Sequence, residues 1–264
     1  MDAMMQAIER IAREAGRQMT APEAAEVYAK EGHANFVTSC DLSIQRYLTE
    51  ALGELLPEAA FFGEESRNAP MGDGLTWVVD PIDGTLNFMH GRNASCVAIA
   101  LLEKKQPIAS AVYDPFRDAF YHARVGQGAY VGERRLRVAE TPFAQAVAAF
   151  GTAPYNAEKA DLSMDIARRL LRDCADIRRV GSAELDLCDV AAGRSDLFFE
   201  LVLSPWDYAA GALLVTEAGG RFHRLDGALR FDVPIGALAA APACFEPALQ
   251  IIRAAFSEHA AGKS

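Results

Sequence analysis

Trp77-Val78-Val79-Asp80-Pro81-Ile82-Asp83-Gly84-Thr85 decides how this chain is read. An apolar run with a β-branched pair drives into Asp80, as a buried strand would. Pro81 has no N–H to donate and is expected to end the strand pairing there. Asp83 follows Asp80 by three residues across a tight turn, so both carboxylates can be aimed at one point. Gly84 and Thr85 then open a new segment whose backbone N–H groups are placed to hold a phosphate. Two carboxylates with no nearby histidine or cysteine pattern form an oxygen-only donor set, the kind magnesium prefers. The competing reading is an Asx turn in an ordinary strand-to-helix connection.

Three further segments bear on that choice. Phe61-Phe62-Gly63-Glu64-Glu65-Ser66 puts adjacent carboxylates at the end of another apolar strand, where a positive partner would offset their cost; solvated loop acids are the alternative. Pro205-Trp206-Asp207-Tyr208-Ala209-Ala210-Gly211 starts a helix at Asp207, which could be only a cap. In Phe36-Val37-Thr38-Ser39-Cys40-Asp41, Asp41 reads first as the cap of the next helix. His33, His90, His122, His223 and His259 share no metal-ligand spacing. There is no GxSxG, Walker or GxGxxG sequence, so nucleophile-elbow and nucleotide-fold chemistry lack their usual residues.

Around these segments the periodicity predicts a helix over about residues 2–30, with Ile8, Ile11, Ala12, Ala15 and Met19 inward, and a second after Asp41. Strands are expected at 61–62, 77–79, 96–102, 108–113 and 119–125, and a hairpin over 126–138. Beyond 146 the chain alternates. Strands are expected at 147–150, 196–200, 221–225 and 237–241, and helices at 161–174, 183–192, 207–218 and 245–256. Gly219-Gly220 supplies the stop of the third of these helices. This order suggests a layered α+β protein. The signals do not separate into two self-contained blocks. One domain over 1–264 is therefore expected, with most of the clustered acids in its N-terminal half (about 1–145) and Asp207 in its C-terminal half (about 146–264).

The 264 residues carry a formal net charge of −10 and are 51% hydrophobic. An acidic surface argues against nucleic acid as a partner, and an enzyme of this charge acting on phosphates needs a local cation. The cysteines, Cys40, Cys96, Cys174, Cys188 and Cys244, are odd in number and scattered, as in a reducing compartment. No apolar run approaches the roughly 20 residues of a membrane helix. The N-terminus is interrupted by charge too early for a signal peptide, so a cytoplasmic protein without membrane contact is expected.

Taken in order, the four segments resemble the inositol monophosphatase family within the lithium-sensitive, metal-dependent sugar phosphatases. The motifs carrying the resemblance are Gly63-Glu64-Glu65-Ser66, Asp80-Pro81-Ile82-Asp83-Gly84-Thr85 with Asn87-Phe88, and Trp206-Asp207 with Glu217-Ala218-Gly219-Gly220. The resemblance implies an αβαβα sandwich, usually a homodimer, that hydrolyses inositol monophosphate or a related polyol or sugar phosphate by direct attack of water. It implies two or three Mg2+ ions, with Mn2+ as a substitute, on Glu64, Asp80, Asp83, Asp207 and the carbonyl of Ile82. Glu64 and Thr85 would position the water, Asp41 would tune Thr85, and the N–H groups of Gly84 and Thr85 would hold the phosphate. Asp83, Ala183, Glu200 and Asp207 would face the substrate, and Lys30 falls where the family carries a lysine near the site. Asn35 in place of an aspartate, Cys40, and Tyr208-Ala209-Ala210-Gly211 depart from the family pattern. Bisphosphate nucleotidase, fructose-1,6-bisphosphatase or NADP phosphatase activity, or a regulatory protein that kept the fold, are the alternatives.

Overall fold

A computed structural model describes residues 1–20, 26–29, 36–154 and 156–261. The first helix, α1 (Ala3–Thr20), buries Met5, Ile8, Ala12, Ala15 and Met19 along one face. It stops at Thr20 rather than running to 30. By Val27–Ala29 (β1) the chain is already a strand, paired antiparallel with Phe36–Thr38 (β2). Next comes α2 (Ser39–Leu55), started by a capping box in which Thr38 and Asp41 bond each other's backbone N–H.

A seven-stranded sheet follows, in the order of the chain: β3 (Ala60–Gly63), β4 (Thr76–Asp83), β5 (Cys96–Glu103), β6 (Gln106–Asp114), β7 (Ala119–Arg124), β8 (Gly128–Val131) and β9 (Arg134–Arg135). Only β3 and β4 run parallel; every other pair is antiparallel. The short helix α3 (Thr85–Met89) joins β4 to β5. Contrary to the expectation for Pro81, β4 does not end there. Its register shifts between Asp80 and Asp83, and pairing resumes at Asp83 with Cys96. Proline is tolerated because a bulge leaves its nitrogen outside the ladder.

The second sheet has the order β11-β10-β12-β14-β13. Its strands are β10 (Val147–Phe150), β11 (Asp176–Arg178), β12 (Leu197–Leu203), β13 (Arg221–Arg224) and β14 (Ile235–Ala240). β12 continues past Glu200, the expected strand end, to Leu203, with a register shift between the two. The helices that accompany this sheet are α4 (Ala157–Asp173), α5 (Ala183–Ala191), α6 (Ala209–Glu217) and α7 (Pro242–Ala261). α4 begins earlier than its apolar stripe because Asn156 caps it, accepting from the Lys159 N–H.

The period-two alternation of the strands sorts side chains into layers. Trp77, Val79, Val97, Ile99 and Leu101 pack on α1 and α2. Val78, Ala98, Ala100 and Leu102 face the other way, onto Leu187 and Cys188 of α5 and Leu213 and Leu214 of α6; Phe198, Ala237 and Ala239 of the second sheet close the same core. Leu197, Phe199, Leu238 and Ala240 point away from it, against α4 and α7. The result is an αβαβα sandwich. Its middle helices, α5 and α6, are buried on nearly every side, as a layer between two sheets must be.

Candidate active site

The clustered acids sit where the two sheets meet the central helices. Glu64 follows β3, and its N–H bonds the Val79 carbonyl at 3.2 Å. The parallel pairing of β3 with β4 thus carries Glu64 to the same end as Asp80. Asp80 is buried, and its Oδ1 accepts the Ile82 N–H at 2.9 Å. Burial pushes its carboxyl well above the usual range, and then Glu64, Asp83 and Asp207 push it further.

Asp83 is tied to the opposite half. It accepts the Glu184 N–H at 2.8 Å, the Ala183 N–H at 3.3 Å and the Ser182 hydroxyl, all at the start of α5. These donors oppose the upward push of burial on its pKa. Cys96, one of the buried thiols, lies 3.7 Å from the same carboxylate. All five cysteines are unpaired in disulfide terms.

Asp207 ends a 3₁₀ turn (Pro205–Asp207) after β12, and its Oδ2 accepts the Ser204 N–H at 2.7 Å. It thus closes the capping box of this turn, whose N-cap is Ser204, and is not the expected cap of α6, which starts after Tyr208 without a side-chain cap. Even so, burial and the charges of Glu64 and Asp83 raise its pKa well above the ordinary value. Capping alone does not explain an acid surrounded by acids.

Asp41 likewise both caps and reaches the site. Its Oδ2 accepts from the N–H and hydroxyl of Thr38, while its Oδ1 lies 3.1 Å from Thr85 Oγ1. The same hydroxyl lies 3.1 Å from the Ile82 carbonyl. One proton serves both acceptors, so the Thr85 hydroxyl is held in place between them.

Gly84 has φ +89°, and a β-carbon there would stand 3.1 Å from the Ala94 carbonyl and 3.2 Å from that of Gly181. The turn between Asp83 and Thr85 needs glycine on both counts. Asn87 holds the adjoining loops: its Nδ2 donates toward the carbonyls of Ala94, Val180 and Gly181 at 2.8–3.2 Å. Glu217 lies elsewhere and clamps the β7–β8 turn through the N–H groups of Gly126 and Gly128, both at 2.7 Å. Tyr208, the departure beside Asp207, is buried against Phe222 and Phe231.

Glu64, Asp83, Gly84, Thr85, Ala183, Glu200 and Asp207 line one cavity of about 180 Å³. Glu200 is half-buried; its Oε1 accepts the Ala153 N–H at 3.2 Å, and burial raises its pKa to about 7. A β-carbon on Gly151 would fall 1.9 Å from its Oε2, so glycine makes the seat. Lys30 and Asn35 lie outside the described residues.

Three residues of the site carried no readable signal. Arg179 and Asp186 line the cavity too. Glu184 is fully buried behind it, accepting the Ala210 N–H at 3.2 Å, with Oε2 lacking a partner. Acids at 184, 186 and 189 in an otherwise apolar helix were the available hint.

As they stand, no three carboxylate, imidazole or thiol groups among the described residues form a ready coordination sphere. The donor set nonetheless suits a hard cation: all oxygen, with Glu64, Asp83 and Asp207 on one cavity and the carboxyls of Asp80 and Asp207 each pushed up by burial and then by neighbouring acids.

Residues 1–259 match the model of the inositol monophosphatase family. The chain is 37% identical over 222 residues to an inositol-1-monophosphatase of Rhizobium meliloti (strain 1021), covering 83% of each. It is 38% identical over 226 residues to the Nus factor SuhB of Escherichia coli (strain K12), covering 83% of this chain and 84% of that one. A solved IMPase/NADP phosphatase complexed with Mg2+ and phosphate superposes with a TM-score of 0.80 at 25% identity, covering 94% of this chain and 91% of its own. Among the described residues no helix is long and apolar enough to cross a membrane. With one family matched along nearly the whole length, the chain belongs to the inositol monophosphatase family.

Proposed function

We propose that this protein is a Mg2+-dependent phosphomonoesterase acting on inositol monophosphate or a related small polyol or sugar phosphate, and that residues 1–264 work as one catalytic unit, as a homodimer. The observation that carries the reading is the meeting of Glu64, Asp83 and Asp207 on one cavity with the Asp41–Thr85 pair. Glu64, Asp80, Asp83, Asp207 and the Ile82 carbonyl would hold two or three magnesium ions, or manganese in their place. Bound there, the metal offsets the charge of the phosphate and makes water a stronger nucleophile.

The remaining work falls to the chain. Asp41 fixes the Thr85 hydroxyl, and Thr85 with Glu64 orients the attacking water. Gly84 and Thr85 present the N–H groups of the first turn of α3, which have no partner within the helix, to the phosphate oxygens. Glu200, beside Ala183, accepts hydrogen bonds from the polyol. A second phosphate placed there would meet an anion, which disfavours adenosine 3′,5′-bisphosphate. The name of the E. coli relative supports a second, regulatory role on the same fold.

The test is phosphate release from a panel of inositol, sugar and nucleotide phosphates, with Mg2+ and with excess chelator. Monoester hydrolysis that needs Mg2+ is expected. Full turnover in chelator, or no turnover of any monoester, would refute the reading.

A further inference from the structure

We infer that Asp186 is a specificity-determining residue: with Glu200 it takes hydrogen bonds from neighbouring hydroxyl groups of the polyol or sugar part of the substrate. The assignment rests on the phosphomonoesterase reading above.

Asp186 stands on α5 one turn beyond Ser182 and Ala183, the pair that meets Asp83, so it faces the same way as they do. It lines the cavity, is only 2% exposed, and its Oδ1 has no hydrogen-bond partner. A buried carboxyl short of donors is costly unless something supplies them. The helix gains no cap from it, because Ser182 fills that position.

Its neighbours define what would bind. Glu200 and Arg179 line the same cavity; burial, then Asp189, Glu200 and Asp83, push the Asp186 carboxyl well above its ordinary pKa, and Arg179 opposes them. Glu200 is pinned by the Ala153 N–H and by the absence of a side chain at Gly151. The Arg179 guanidinium lies over Gly181, where a β-carbon would be 2.9 Å from it, and 3.4 Å from Thr152 Oγ1. Two carboxyls held on separate elements, α5 and β12, can accept from two adjacent O–H groups at once. A hydroxyl-free leaving group leaves both without donors, and a second anion is repelled by both.

The test is the ratio of kcat/KM for myo-inositol 1-phosphate to that for 4-nitrophenyl phosphate, whose leaving group has no neighbouring hydroxyls. It is measured in the native chain, Asp186→Asn and Asp186→Ala, with thermal unfolding to show that each variant is folded. Loss of a charged hydrogen bond should lower the ratio by about 10- to 100-fold in the variants. A ratio that stays the same, whether both esters slow together or neither does, overturns the assignment. Calorimetric titration with myo-inositol 1-phosphate separates the two claims. A native chain that hydrolyses neither ester, nor any other monoester of the panel, refutes the phosphomonoesterase reading. In that case binding weakened about 10-fold by Asp186→Asn still upholds Asp186, whereas unchanged binding, or none to the native chain, overturns it.

Discussion

At the level of single residues, Asp80 sits among like charges. Burial and then Glu64, Asp83, Asp207 and Asp41 all raise its pKa. Asp80→Asn removes one repelling group and one proposed metal ligand together. We expect turnover to fall by about 10²–10³-fold or more, the loss usual for removing one preorganised electrostatic group. The metal-free variant should melt no lower than the native protein. Near-native turnover in a folded variant would show that Asp80 holds no metal. Glu200 gives the pH dependence. Its carboxyl rises from 4.5 to about 7 on folding, so the folded state binds this proton more tightly than the unfolded one. The contribution is fully present below pH 4.5 and is lost as pH rises through about 7. Allowing for partial exposure, it amounts to roughly 2 kcal/mol. Thermal unfolding of metal-free native protein and Glu200→Gln from pH 4 to 8 checks it: the fall in stability over this window should be shallower in the variant.

At the level of elements, the site depends on how closely α5 and α6 approach. A β-carbon on Gly211 would stand 2.4 Å from Leu187 Cβ and 2.7 Å from Glu184 Oε2. Gly211→Ala gains helix propensity but must force the two helices apart. The expected outcome is a net loss of about 1–3 kcal/mol in denaturant unfolding, the usual cost of overpacking; an unchanged midpoint would mean the helices have room to spare. This packing also marks what the sequence could and could not reveal. Asp80, Asp83 and Glu64 were legible because each comes at or soon after an apolar strand run, which fixes the direction of the residues that follow it. Asp41 and Asp207 were ambiguous because each closes a capping box three residues after the true cap, Thr38 or Ser204, and reaching the site as well depends on tertiary contacts. Glu184 and Asp186 were not singled out, since nothing local says that α5 lies between two sheets. The length of α1 was overestimated by following periodicity past Pro22, and the ends of β4 and β12 were misread because bulges carry strands through residues that locally look like stops.

On the scale of the whole molecule, a chain of net charge −10 gathers several of its acids, from both sheets, at one internal junction. Glu64 and Asp80 lie at the same end of two neighbouring strands of the first sheet, Asp207 belongs to a turn leaving the second, and Asp83 bonds from the first sheet to α5 between them. A cation bound there would join the layers, so its binding energy would become folding energy. At a Mg2+ concentration about 100 times its dissociation constant the gain is roughly 2.7 kcal/mol, or a rise in melting temperature of roughly 5–10 °C for a chain of this size. Surface screening would also stabilise so acidic a protein, but it follows ionic strength and not ion identity. The measurement is therefore melting temperature in MgCl2 against KCl of equal ionic strength, for the native chain and Asp207→Asn. A rise confined to Mg2+ and to the native chain is the expected result. Equal rises in both salts, or a Mg2+ response undiminished in Asp207→Asn, would mean that the acids at the junction do not act as one site.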